Sequence, residues 1–178
     1  LTIDTVVPAA PTITVATNPS NNVTPTFTGN AEANSTVIVY NGAAALGSTT
    51  ATAAGTYSFT PGASLAPDGT KAISATATDA ATNVSPSSPV LNYVLDATPP
   101  ATPTIATATN PSNNLTPTVT GSAETGSTVR IFNGATQVCQ TTAAAGAYSC
   151  TVTTLAPEGT KALTARATDP AGNQSVAS

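Results

Sequence analysis

The chain repeats itself at a period of about ninety residues, and this limits its fold more than any other feature. All eight acidic residues fall into pairs at matching places in the two copies: Asp4 with Asp96, Glu32 with Glu124, Asp68 with Glu158, and Asp79 with Asp169. The first two pairs lie 92 positions apart and the last two 90, so short insertions or deletions fell between them. The surrounding text repeats as well. Thr17-Asn-Pro-Ser-Asn-Asn22 returns at Thr109 to Asn114, and Asp79-Ala-Ala-Thr-Asn83 returns as Asp169-Pro-Ala-Gly-Asn173. A period of this length denotes a tandem pair of whole domains rather than a solenoid of small units. The expected division is a linker or strand end at 1–8, one domain at 9–96, a proline-rich linker at 97–103, and a second domain at 104–178.

Two domains in 178 residues leave each with a thin core. Aromatics make up 4% of the chain and Met, Trp and His are absent, so little bulky apolar surface is available to bury. Charged residues amount to only 7%, which does not match the charge-rich composition of disordered chains. A net charge of -4 without a basic cluster argues against nucleic acid as a partner. No run of eighteen apolar residues is present, which argues against insertion in a membrane. No basic stretch followed by an apolar one marks an export signal within these residues.

The first copy reads as seven short strands rich in Thr and β-branched residues: Thr12–Val15, Thr24–Gly29, Thr36–Tyr40, Leu46–Thr52, Tyr57–Thr60, Lys71–Thr78 and Val90–Leu95. Asn41-Gly42 and Asn133-Gly134 mark tight hairpins, and Ala-Ala-Gly at 53–55 and 144–146 marks the following turn. Arg130 and Arg166 must face solvent, which turns Val129, Ile131, Leu163, Ala165 and Ala167 inward. The matching core set in the first copy is Val37, Val39, Ile73, Ala75 and Ala77. With no helical stretch, the expected fold is all-β, two tandem immunoglobulin-like β-sandwich domains.

The ordered series Gly-(Asn/Ser)-Ala-Glu-x-(Asn/Gly)-Ser-Thr-Val, Gly-x-Tyr-Ser, Leu-Ala-Pro-(Asp/Glu)-Gly-Thr and Ala-Thr-Asp-x-Ala-(Thr/Gly)-Asn, closed by Asp-x-Thr-x-Pro, resembles the bacterial Ig-like tandem repeats of large cell-surface adhesins. The resemblance covers almost the whole chain. It implies an extracellular stalk or spacer on the bacterial surface, serving adhesion without catalysis and flanked by further Ig-like repeats. It also implies that the adhesive tip resides in other domains, and that calcium stiffens the joints, as in several such proteins.

If the strands run up and down the sandwich in order, Glu32, Asp79 and Asn83 lie in loops at the leading end of the first domain, beside Asp4. Asp96 closes the last strand at the far end, near Asp68, while Glu124, Asp169 and Asn173 crown the leading end of the second domain. Clustered carboxylates are unfavourable without a cation, and oxygen ligands of this kind suit calcium. The expectation is a calcium site at the Asp96 joint and a related one at Asp4. The competing reading makes the Asp of Thr-Asp-x-Ala-x-Asn a cap for its own loop, and pairs Glu32 and Glu124 with a backbone amide or with Lys71 and Lys161. In either case the prolines of 97–103 stiffen the linker.

Cys139 and Cys150 lie on consecutive strands, and directly opposed residues of an antiparallel hairpin come within disulfide range. A bridge across that hairpin is expected, and it implies an oxidising compartment outside the cytoplasm. The second copy lacks an equivalent of Val90–Leu95, whereas Leu1, Thr2, Ile3 and Asp4 align with Tyr93 to Asp96. The chain is either a slice of a longer array or a subunit whose residues 1–4 complete the sandwich of the next, giving a head-to-tail filament. A glycan- or protein-binding module is the third reading, with Tyr40 and Phe132 as its exposed aromatic candidates. Catalysis is the least expected function, because no His is present, the cysteines are expected to pair, and domain ends explain the carboxylates better than an acid and base facing a shared cleft.

Overall fold

A computed structural model describes residues 3–107 and 112–178. The chain divides into two compact units, Leu1–Ala97 and Thr98–Ser178. Both are built from strands and loops, and among the described residues no helix is long and apolar enough to cross a membrane.

The first unit holds β1 (Thr14–Val15), β2 (Phe27–Asn30), β3 (Thr36–Asn41), β4 (Ala44–Thr50), β5 (Thr56–Phe59), β6 (Gly69–Thr78) and β7 (Leu91–Leu95). One sheet has the order β1-β2-β5 and the other β4-β3-β6-β7, and the neighbouring strands pair antiparallel. Alternation decides which residues enter the core. Val37, Val39, Ile73, Ala75 and Ala77 are fully buried, while on the opposite parity of β3 Thr36 is exposed and Ile38 half-buried. Val37 stands opposite Ala77 and Val39 opposite Ala75, so each valine is matched by a small side chain on the neighbouring strand. Phe27 meets Tyr93 edge to face at 5.9 Å between ring centres, an arrangement the ring quadrupoles favour. Burying each side chain of this size contributes about 1.5–3 kcal/mol.

One turn is the tight hairpin the sequence marks, and the next departs from expectation. The β3–β4 loop is Gly42-Ala43, with Gly42 at φ +59°, and Asn41 sits one place earlier, at the strand end opposite Ala44. The Ala53-Ala54-Gly55 turn does not close a hairpin. It carries the chain from the β4 edge of one sheet to β5 in the other, closed by hydrogen bonds from Thr52 N to Thr56 O (2.8 Å) and Gly55 N to Thr52 O (2.9 Å).

The second unit holds β8 (Ala106–Thr107), β9 (Thr118–Ser122), β10 (Thr128–Asn133), β11 (Thr136–Thr142), β12 (Ala147–Thr151) and β13 (Leu163–Thr168), in sheets β8-β9-β12 and β11-β10-β13. Val129, Ile131, Ala165 and Ala167 are fully buried, and Leu163 packs half-buried against the core. The parity read from the arginines therefore holds in both copies. In the first unit β6 has ten residues, and Gly69–Ile73 pair with β7. Of the matching segment in the second unit, only Leu163 lies in a strand, and β13 has six residues.

Candidate functional site

The repeated Asp-x-x-x-Asn segments fold into self-contained clasps. Asp79 Oδ1 accepts hydrogen bonds from the backbone N–H groups of Ala81 (2.8 Å) and Asn83 (2.9 Å), and Oδ2 accepts one from the Asn83 side-chain amide (2.8 Å). In the second unit Asp169 accepts from the Asn173 backbone at 2.9 Å and from its side chain at 2.8 Å, with both residues buried. The Asn83 side-chain hydrogen bond lowers the Asp79 pKa below its ordinary value; desolvation opposes this, and backbone hydrogen bonds from Asn83, Ala81 and Thr82 assist it. These carboxylates are held by their own loops, the geometry of an Asx-turn.

Asp4 lies where the loop reading put it, beside the second clasp residue, since the Asn83 amide also donates to the Asp4 carbonyl (3.2 Å). Its carboxylate accepts from Val6 N at 3.0 Å. At the other end of the first unit Asp68 accepts from Ala97 N (3.0 Å) and the Asp96 backbone N–H donates to Ser20 O (3.0 Å), which brings these two acidic residues to the same end. Glu32 and Glu124 act through their carbonyls, which accept from both the backbone and the hydroxyl of Ser35 and Ser127, while their side chains are exposed. Lys71 donates to the Pro67 carbonyl (2.6 Å). Among the described residues, no three Asp, Glu or Cys side chains gather as a set that would hold a metal ion.

The cysteines pair, but not across a hairpin. Cys139 is on β11 and Cys150 on β12, in opposite sheets, so the disulfide ties the sandwich through its middle with 6.2 Å between Cα atoms. The expected hairpin geometry failed because the turn between them changes sheets. The matching residues of the first unit show what the bridge replaces: a Cβ on Gly47 would sit 2.9 Å from the Phe59 ring, so Phe59 fills the same space from the opposite sheet.

Three structural devices carry no obvious signature in the sequence. Tyr57 lies across Gly29 on the neighbouring strand and donates from its hydroxyl to the Thr12 carbonyl (2.6 Å), and Tyr148 does the same over Gly121 to Thr104 (2.6 Å). Burial pushes the Tyr57 pKa up to about 12 and raises that of Tyr148. Asn18 seats β7, donating to Asn92 O (2.7 Å) and accepting from Val94 N (2.8 Å). Its counterpart Asn110 lies outside the described residues. Buried Ser85 and Ser88 bond the amides of Ala77 and Ala75. The repetition of Thr17 to Asn22 and of Gly-x-Tyr was the available signal for the first two.

The family model described as a bacterial Ig-like domain matches residues 9–97 and again 104–178. The chain belongs to the bacterial Ig-like domain family. Among solved structures, these two Ig-like units are similar to the fibronectin(III)-like modules of Clostridium thermocellum CbhA, at 21% identity and a TM-score of 0.55, covering 94% of this chain and 90% of that one. This likeness supports the sandwich fold. Weaker similarities are to the BSP domain of a biofilm associated protein (20% identity, TM-score 0.37, 96% of this chain and 28% of that one) and to the human OSCAR ligand-binding domain (14% identity, TM-score 0.44, 97% and 99%). No curated protein matches the chain.

Proposed function

We propose that the chain is a structural spacer of a bacterial cell-surface adhesin or extracellular filament, whose Ig-like units extend and stiffen a longer array. One observation carries this reading. The clasp aspartates, the clamp tyrosines and the loop carbonyls that recur between copies each serve to close their own unit, so the repeat preserves a building block rather than a cleft. The disulfide supports an oxidising, extracytoplasmic location.

Calcium bracing of the joint near Asp96 is the second part of the proposal. Asp68 and Asp96, which share one end of the first unit, are the residues it would use. The Asp79 and Asp169 clasps favour a loop role for those two.

The test is thermal melting with small-angle scattering of the purified chain, in calcium and in chelator. An extended particle with a higher melting temperature in calcium supports a braced spacer. An extended particle without a calcium response keeps the spacer and removes the ion. A compact particle overturns the spacer.

Strand addition by residues 1–4 to a neighbouring subunit is a second reading, resting on the match of Leu1 to Asp4 with Tyr93 to Asp96, the end of β7. Ile3 is 78% exposed, while Leu1 and Thr2 lie outside the described residues. Head-to-tail polymers that vanish when residues 1–4 are deleted would support it, and a chain that stays monomeric at high concentration would remove it.

A further inference from the structure

The outer face of the β11-β10-β13 sheet carries a feature that neither the loops nor the spacer reading uses. Arg130 on β10 stands directly opposite Arg166 on β13, with Gln140 of β11 on its other side. Like charges placed directly opposite each other destabilise an antiparallel pair. The first unit holds the neutral row Ser48, Ile38 and Thr76 at the same register, so the sheet does not require charge there. Three of the four cationic residues of an acidic chain lie in the second unit, and two of them face each other in this row.

The surroundings hold one arginine and leave the other open. Arg130 donates from Nε to Gln140 Oε1 (3.0 Å) and from Nη1 to Thr168 Oγ1 (3.2 Å), which fixes its guanidinium plane. Arg166 is exposed, and among the described residues no carboxylate pairs with either guanidinium. One step along β10, the half-buried ring of Phe132 stands opposite Thr164. Arg130, Phe132, Thr164, Arg166, Thr168 and Gln174 line a depression of about 350 Å³.

We propose that this depression binds a carboxylated sugar, a uronic-acid unit of an acidic polysaccharide. Two adjacent guanidinium groups match one carboxylate, and Arg presents planar paired donors for that geometry. Thr164, Thr168 and Gln174 supply hydroxyl and amide partners for sugar hydroxyls, and the Phe132 ring offers an apolar face for the sugar ring. The volume is at the small end of ligand pockets, and the face has one aromatic residue, whereas a stable protein partner needs a far larger patch with several buried anchors. The inference stands independently of the spacer reading.

The experiment titrates the whole chain with sodium polygalacturonate, with its methyl ester and with poly-glutamate, by calorimetry at low salt. Arg166→Thr and Arg130→Ile install the first unit's own residues in this row, and a matching melt confirms that the variants fold. Polygalacturonate should bind, the ester should not, R166T should bind about tenfold more weakly, as loss of a charged hydrogen-bond partner predicts, and the double variant should not bind. No binding of polygalacturonate, or equal binding by the double variant, overturns the proposal. Poly-glutamate binding at equal or greater strength also overturns it, assigning the arginines to an acidic peptide.

Discussion

Tyr57 and Tyr148 show how single residues hold each sandwich together. Each ring covers a glycine on the neighbouring strand, and a Cβ at Gly29 or Gly121 would run into the carbonyl of Thr12 or Thr104. Tyr57→Phe removes the donor and leaves that carbonyl unpaired, so it should lower stability by about 1–2 kcal/mol in urea unfolding; Gly29→Ala should lower it more. Because the folded Tyr57 pKa is raised, its contribution is complete below pH 10 and fades as the pH climbs towards 12, a slope that Y57F abolishes. Asp79 behaves in the opposite sense. Its lowered pKa gives stability that is present above the ordinary value of 3.8 and is lost as the pH falls through the folded value, and D79N should flatten that acid limb. Thr82 has φ +72°, where its counterpart Gly172 has φ +95°, and a β-branched residue is strained there. Thr82→Gly should therefore stabilise the first unit by about 1 kcal/mol, read from its melt. The Asp-Asn clasps were legible because a side chain bonding its own loop is a local event. The tyrosine clamps were not, because their acceptors lie 45 and 44 residues away in sequence.

At the scale of elements, strand positions and inward parity were legible from Val, Ile and Ala alternating with Thr. Sheet membership was not. An Ala-Ala-Gly turn reads the same whether it folds a strand back on its neighbour or passes it to the other sheet, and the difference moved the Cys139–Cys150 bridge from a hairpin to the middle of the sandwich. The second unit has Val119 where the first has Phe27, and Cys150 where the first has Phe59, so it buries less aromatic surface. A bridge of this loop length contributes about 2–3 kcal/mol, similar to one large buried side chain. Reduction should thus lower the melting of the second unit and leave the first unchanged, as calorimetry with and without reductant would show. The converse exchange, Gly47→Cys with Phe59→Cys, should form a bridge in the first unit. Asn18→Ala should loosen β7 and cost about 1–3 kcal/mol, seen as faster amide exchange at Val94.

For the molecule as a whole, each unit closes its own core, and the repeated polar residues serve that closure. Under the proposed spacer function, tension should unfold the units one at a time, with the inter-sheet disulfide shielding part of the second. The repeat made this organisation legible before any strand was placed. The central claim is tested most directly by stretching the chain between two handles, oxidised and then reduced. Two separate unfolding events are predicted, one of which lengthens by about 35–40 Å on reduction, for 11 residues at roughly 3.3–3.6 Å each. A single event, or yielding without measurable force, would contradict a spacer built from two separately closed Ig-like units.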